Sequence, residues 1–274
     1  MSMQGALGPL GRDASGSAAR LRPRSGAGDL TYRPTVDFSV VIPAHNEAAL
    51  LERGLSAIAE AVRRLDGSVE VVVVANRCTD ATADLARAGG AIVVDSEARN
   101  IAAVRNAGAA RASGDVIITI DADSQMAPTA LAEADRLLRT GRFVGGGSRV
   151  RPERSSLGIQ ATLFIVDVAT LLARLSGAMF WCRADDFRAV GGFNEDLLVG
   201  EDLDFARRLR THGRSSRRRL TKLKEAPMIV STRKFDRFGD WHMFAMALQL
   251  PAIRAAVRGQ DTAWVDRYFF DYND

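Results

Sequence analysis

A chain of 274 residues, 47% hydrophobic and 26% charged, can bury a substantial core and reads as one globular domain with extensions. Its two cysteines, Cys78 and Cys182, are too few for a disulfide framework or a cysteine zinc site, so a reducing, cytoplasmic setting is the simplest. The net charge of +4 favours anionic partners weakly, and without a basic, aromatic-rich groove it argues against nucleic acid.

Residues 1–36 are poor in large apolar groups and lack the apolar core of a secretory signal, so they read as a flexible tail. Phe38 to Ile42 is a β-branched run closed by Pro43, a first strand. Leu50, Leu51, Leu55, Ile58 and Val62 then form the apolar stripe of a helix from Glu47 to about Leu65. The pattern continues with strands at Val69–Val74, Ala91–Val94 and Val116–Ile120, and helices at Thr79–Ala88 and Ile101–Ala112. Thr79 and Asp80 suit the cap of the second helix. Such alternation means βαβ units and a parallel sheet, and near-continuous apolar strands mean that both sheet faces are covered.

The later elements are less regular. Arg142 to Val150 reads as a strand carrying the triplet Gly145-Gly146-Gly147, followed by a helix to about Ser176. Ala161 to Trp181 is long enough to span a membrane, but Asp167 and Arg174 share one helical face, so a buried or substrate-facing amphipathic helix is expected instead. Gly191-Gly192-Phe193 marks a turn, Glu201 to Thr211 a helix, and Trp241 to Val257 a further helix interrupted at Pro251. The run Arg214, Arg217, Arg218, Arg219, Lys222 and Lys224 is either a solvated face or a patch for phosphates or an anionic membrane. With the apolar Met243 to Leu250 it could serve a lipid-linked acceptor at the inner face of a membrane; the alternative is a solvated face and a core helix.

In a parallel sheet, ligands bind beyond the carboxyl ends of the strands, where Ala44 to Glu47, Asn76 to Asp80 and Asp121 to Ser124 fall. Asp121-Ala122-Asp123 follows an apolar strand directly. Alternate residues of an extended segment face the same way, so both carboxylates can enter one site and hold Mg²⁺ or Mn²⁺ with substrate phosphates; the competing reading is a turn with Asp caps. Glu201 and Asp202 open a helix, where acids suit the macrodipole, and either could act as a general base. Asn76 can accept from or donate to a base edge, Glu47 can bond a ribose or sit in a first turn, and Cys78 is an inert small residue.

Taken together, Val40 to Glu47, Val72 to Asp80, Gly114 to Asp123 and Gly191 to Glu195 with Glu201-Asp202 resemble the GT-A glycosyltransferases of family 2, over residues 38 to about 245. The resemblance implies an α/β fold with a Rossmann-like, mostly parallel central sheet flanked by helices. It divides a single domain, 37–274, into a nucleotide-sugar-binding half (37–124), an acceptor and catalytic half (125–245) and a C-terminal extension (246–274). It implies a non-processive, inverting, hexosyltransferase-like enzyme. Such an enzyme would move a sugar from a nucleoside-diphosphate sugar to a hydroxyl acceptor with Mn²⁺ or Mg²⁺. Pro43, Ala44 and Glu47 would line the base and ribose, and Asn76 would read the base. Asp121 and Asp123 would form the DxD motif, with Asp123 the more direct metal ligand. Asp202, or Glu201, would be the base. Arg99 and Arg105 are candidates for phosphate or sugar contacts, and His242, ahead of His212, for completing the metal site. Arg233 or Lys234, in a loop at 232–239, would meet the diphosphate.

The chain departs from the family pattern where two acids are usual and Ala75-Asn76 stands, which opens recognition to nucleotides other than uridine. It carries Arg77-Cys78 in place of a common Gly-Ser pair, and no Gln-x-x-Arg-Trp follows the acidic pair, against a processive synthase. The alternatives are a non-catalytic module of the same fold, opposed by the intact acids, and a sugar nucleotidyltransferase. The latter would carry a Gly-rich, basic loop where Ala44 to Glu47 stands.

Overall fold

The apolar runs assemble into one eight-stranded sheet in the computed structural model, which describes residues 37–173, 177–198 and 200–242. In chain order the elements are β1 (Phe38–Ala44), α1 (Ala48–Val62), β2 (Val69–Asn76), α2 (Thr82–Ala88), β3 (Ile92–Ser96), α3 (Ile101–Arg111), β4 (Val116–Ile120) and β5 (Ser124–Gln125). They continue as α4 (Ala130–Arg139), β6 (Phe143–Pro152), α5 (Leu157–Ala173), β7 (Gly177–Arg183), α6 (Ala184–Ala189), α7 (Glu201–Ser215), β8 (Arg219–Val230) and α8 (Arg233–Phe238). The strand order is β3-β2-β1-β4-β7-β6-β8-β5; β7 and β5 run against the other six.

Alternation along the strands divides the core. Val40, Ile42, Val71, Val73, Ile118, Ile120 and Trp181 point toward Leu51 and Ile58 of α1 and Leu131 and Leu138 of α4. The intervening Val41, Val72, Val74, Ile117 and Phe180 meet Val104 of α3, Phe187 of α6 and Phe205 and Leu209 of α7. A mostly parallel sheet with both faces covered is therefore present, as the apolar runs imply. The chain order reverses between β1 and β4, so a crevice opens beyond their carboxyl ends.

Several expectations change. Pro43 lies inside β1 rather than ending it, in register with Val74 of β2, while pairing with β4 stops at Val41. A proline costs no ladder bond on a side that is already open. The run 161–181 is not one helix: α5 ends at Ala173, and Gly177 to Arg183 pairs with β4 and β6 as β7. Nor is α5 wholly buried: Ile159 and Thr162 are covered, but Leu157, Phe164, Ile165, Val166 and Val168 are exposed and Phe164 keeps 69% of its surface. Arg174 lies outside the described residues. The basic run at 214–224 divides between α7 and β8, whose Leu223, Ala226 and Met228 are buried. Residues 233–238 of the expected loop form α8. Ala81, not Thr79 or Asp80, is the cap position of α2, although Asp80 Oδ1 still accepts from the Thr82 amide at 2.9 Å. The expected tail at 1–36, the apolar run from Met243 and the extension at 246–274 lie outside the described residues. Among the described residues, no helix is long and apolar enough to cross a membrane.

Candidate active site

Two strand-to-helix connections are tied together at the carboxyl ends of β1 and β2. Asp80 bridges the starts of two helices, accepting from Ala48 N of α1 (3.0 Å) as well as from Thr82 N of α2. Thr82 Oγ1 accepts from Glu47 N at 2.8 Å, Asn46 Oδ1 from Thr79 N at 2.8 Å, and the His45 ring donates to Asn76 O at 2.8 Å. Both connections turn through a left-handed residue, Asn46 (φ 49°) and Arg77 (φ 49°). Asparagine tolerates that region, whereas arginine holds it only where its surroundings over-determine it. These bonds leave Asn76 buried, with no partner for its Oδ1 among the described residues. An orphaned buried acceptor costs about 1–3 kcal/mol unless a ligand satisfies it. Pro43 and Ala44 line the same strand end; the Cys78 thiol donates to Ala44 O at 3.4 Å, and burial pushes that thiol up, away from nucleophile chemistry.

The acids of the crevice come next. Ala122 is buried between Asp121 and Asp123. Asp123 keeps 25% of its side-chain surface, and burial, reinforced by the charge of Asp121, raises its pKa to about 6. From the far side of the crevice, α8 delivers Arg233. Its guanidinium donates to Glu47 Oε1 and lies 3.5 Å from Asp123 Oδ2, so one cation faces two acids that sequence places far apart. Lys234 adjoins the same acids; burial lowers its pKa, and Asp123 and Asp121 oppose that shift.

Arg105 of α3 joins this cluster to α7. One guanidinium nitrogen lies 2.9 Å from Asp121 Oδ1 and another 2.6 Å from Glu201 Oε1, with only 12% of the side chain exposed. Its carbon lies 5.3 Å from the centroid of the Phe193 ring. Burial alone would lower the Arg105 pKa, but the two carboxylates raise it instead. Glu201 is 10% exposed and its pKa is pushed up by burial, with Arg105 opposing. Asp202, next in the first turn of α7, is half-buried and accepts from Leu203 N at 2.7 Å.

The approach to α7 is fastened by α3. Asn106 donates to Phe193 O and accepts from Phe193 N, both at 2.9 Å, and Asn100 donates to the carbonyls of Glu195 (2.6 Å) and Leu197 (2.9 Å). Gly192 makes the turn possible: its φ is +64°, and a Cβ there would lie 2.6 Å from Asn106 Oδ1. Asn100 and Asn106 escape a reading of the sequence, although Asn100 has a local signal as the cap of α3; Phe193 was read only as part of a turn and motif, not as a ring beneath Arg105.

Of the expected site residues, the structure gathers Glu47, Asp121, Asp123 and Glu201, with Arg105, Arg233 and Lys234 among them. Arg99 is exposed on the connection between β3 and α3. His242 donates through Nδ1 to Gly239 O at 2.8 Å and packs edge-on against Phe235. His212 is committed to Asp186, 2.9 Å away, which also pairs with Arg218. No three carboxylate, imidazole or thiol groups among the described residues converge closely enough to hold an ion. Asp121 and Asp123 alone supply two carboxylates, a donor set of the kind that Mg²⁺ takes when substrate phosphates provide further ligands. Their mutual repulsion, met by Arg233, marks a place where added positive charge is favourable.

Comparison with known proteins bears on the family and the fold. A model of the family described as glycosyl transferase family 2 matches residues 39–180. No curated protein sequence matches the chain. Among solved structures, TarS from S. aureus aligns with a TM-score of 0.56 at 16% identity over 77% of this chain and 39% of its own; its 1–349 fragment, in complex with UDP-GlcNAc, aligns at 0.56 and 17% over 72% and 59%. The mannosyltransferase PcManGT from Pyrobaculum calidifontis, in complex with GDP-Man and Mn²⁺, aligns at 0.56 and 23% over 76% and 60%. Glucosyl-3-phosphoglycerate synthase from Mycobacterium tuberculosis, with Mn²⁺, UDP and glucosyl-3-phosphoglycerate, aligns at 0.53 and 21% over 82% and 81%. The chain thus spans well under two thirds of TarS. These likenesses establish the shared GT-A fold.

Proposed function

Because the chain belongs to glycosyl transferase family 2, we propose that it transfers a sugar from a nucleoside-diphosphate sugar to a hydroxyl acceptor, with inversion at the anomeric carbon. The observation that carries this reading is the convergence of Glu47, Asp121, Asp123 and Glu201, with their cations, at the carboxyl ends of β1 and β4. Residues 37–124 form the donor half and 125–245 the acceptor half.

The base docks at Pro43, Ala44 and Asn76, whose orphaned Oδ1 awaits an N–H. A neutral amide presents both a donor and an acceptor, a pattern that uracil and guanine edges each satisfy. Glu47 takes the ribose, releasing Arg233 toward the diphosphate together with Lys234. Asp123, with Asp121, would hold a divalent cation, which when bound would offset the charge on the departing diphosphate. Mn²⁺ in PcManGT and in the mycobacterial synthase supports the choice of ion.

Asp202 serves as the general base. Glu201 is sequestered by Arg105, whereas Asp202 is half-exposed and bonded through one oxygen to Leu203 N. In the transfer, Asp202 takes the acceptor proton as the hydroxyl oxygen bonds to the anomeric carbon and the bond to the diphosphate oxygen breaks. The test is a panel of UDP- and GDP-sugars with Mn²⁺, following release of the nucleoside diphosphate. At least one donor should turn over, and Asp202→Asn should lower kcat by about 10²–10⁴-fold with donor binding retained. Binding without turnover of any donor, with or without acceptors, would favour a non-catalytic module instead.

A further inference from the structure

We propose that Arg105 is a positioning residue of this reaction, a bridge that sets the base-bearing turn of α7 against the donor-side acid Asp121. The inference rests on the transfer reading above and assigns a role that the contact with phosphate or sugar suggested by the sequence does not include. Both of its carboxylate partners lie within hydrogen-bond distance, at 2.9 Å and 2.6 Å, and the side chain is 12% exposed. A guanidinium can fork between two carboxylates, and a lysine ammonium lacks that rigid geometry. The Phe193 ring, stacked on Phe205 with centroids 4.5 Å apart, closes the guanidinium from one face.

The surroundings show what the bridge holds. Glu201 and Asp202 are consecutive in the first turn of α7, so a tether on Glu201 fixes the start of the helix on which Asp202 stands. Arg105 is also flanked on α3 by Asn100 and Asn106, which clamp the 193–197 segment leading into that helix. One element thus grips both the approach to the base and its first turn, and Arg105 extends the grip across to Asp121. Asp121 accepts from Arg105 through Oδ1, which leaves Oδ2 for a cation or ribose. The arrangement couples donor geometry to base geometry, where displacements of about 1 Å can cost 10²-fold in rate.

The test compares kcat and donor KM of the full chain with those of Arg105→Met, Arg105→Lys and Glu201→Gln, alongside amide hydrogen exchange at 200–205. Arg105→Met should lose about 100-fold in kcat while donor KM stays within about threefold; Arg105→Lys should recover part of that loss. Exchange at 200–205 should quicken in Arg105→Met. A kcat close to that of the wild type in Arg105→Met, or a loss carried by KM alone, would overturn the proposal and return Arg105 to the role of a donor contact. Should Arg105→Met not fold, Glu201→Gln decides: kcat about tenfold lower at unchanged donor KM supports the bridge, and unchanged kcat overturns it. A wild-type chain that turns over no donor would defeat the transfer reading instead. Exchange at 200–205 then judges the bridge alone, and unaltered exchange in the folded Arg105 variants overturns it.

Discussion

Asp123 shows most clearly how a side chain's surroundings set its chemistry. Burial and the charge of Asp121 hold its pKa near 6, above the ordinary aspartate value. Its native state therefore keeps a proton that the unfolded chain has lost between about pH 4 and 6. The stability this contributes is full below that window and is lost as pH rises through about 6. In metal-free protein, urea unfolding at stepped pH should show a downward slope across the window, and Asp123→Asn should flatten it. Asp121 and Asp123 were legible in the sequence because spacing alone puts both past the end of a strand. Arg105 was legible only as a nearby cation, because its partners lie 16 and 96 residues away and no local pattern links them. Arg233 was expected to meet diphosphate; its contact with Glu47, 186 residues distant, belongs to tertiary structure alone.

At the scale of elements, the first four strands were readable because each is an apolar run between turn residues, and β4 keeps its expected bounds. β7 was not, because Met179 to Cys182 continues an apolar stretch whose period does not separate helix from strand. β8 was hidden by its charges, since buried Leu223, Ala226 and Met228 alternate irregularly with exposed Lys224 and Glu225. Close approach is what the Gly145 triplet serves: a Cβ on Gly146 would lie 1.7 Å from Thr221 O of β8. Gly146→Ala should therefore cost about 1–3 kcal/mol or more, read by denaturant unfolding. A buried ring on the approach to α7 and an exposed ring on α5 predict different sensitivities. Phe193→Ala, which dismantles the stack on Phe205 beneath Arg105, should cost about 3–5 kcal/mol. Phe164→Gln, on the exposed stripe of α5, should change stability by no more than about 0.5 kcal/mol.

For the whole molecule, the site is assembled from segments that only the fold unites. Glu47 comes with β1, Asp121 and Asp123 with β4, Glu201 and Asp202 with α7, and Arg233 with α8. Three of these four sites were legible as strand ends and helix starts, and the family pattern supplied their order along the chain. Arg105 and Arg233 were foreseen as ligand contacts but not as partners of these acids, because counter-charges are recruited across the sheet rather than along the chain. Ligand binding to such a composite site stabilises the native state alone. A matched nucleoside diphosphate with Mn²⁺ at about 100 times its Kd should add ~2.7 kcal/mol and raise Tm by about 5–10 °C. The central claim, that Asp123 anchors a metal-bound nucleoside diphosphate, is tested most directly by titration calorimetry of UDP and GDP into the full chain. Saturable binding of at least one nucleotide that requires Mn²⁺ and disappears in Asp123→Ala is the predicted result. Binding that is indifferent both to Mn²⁺ and to Asp123→Ala, or no binding of either nucleotide, would contradict it.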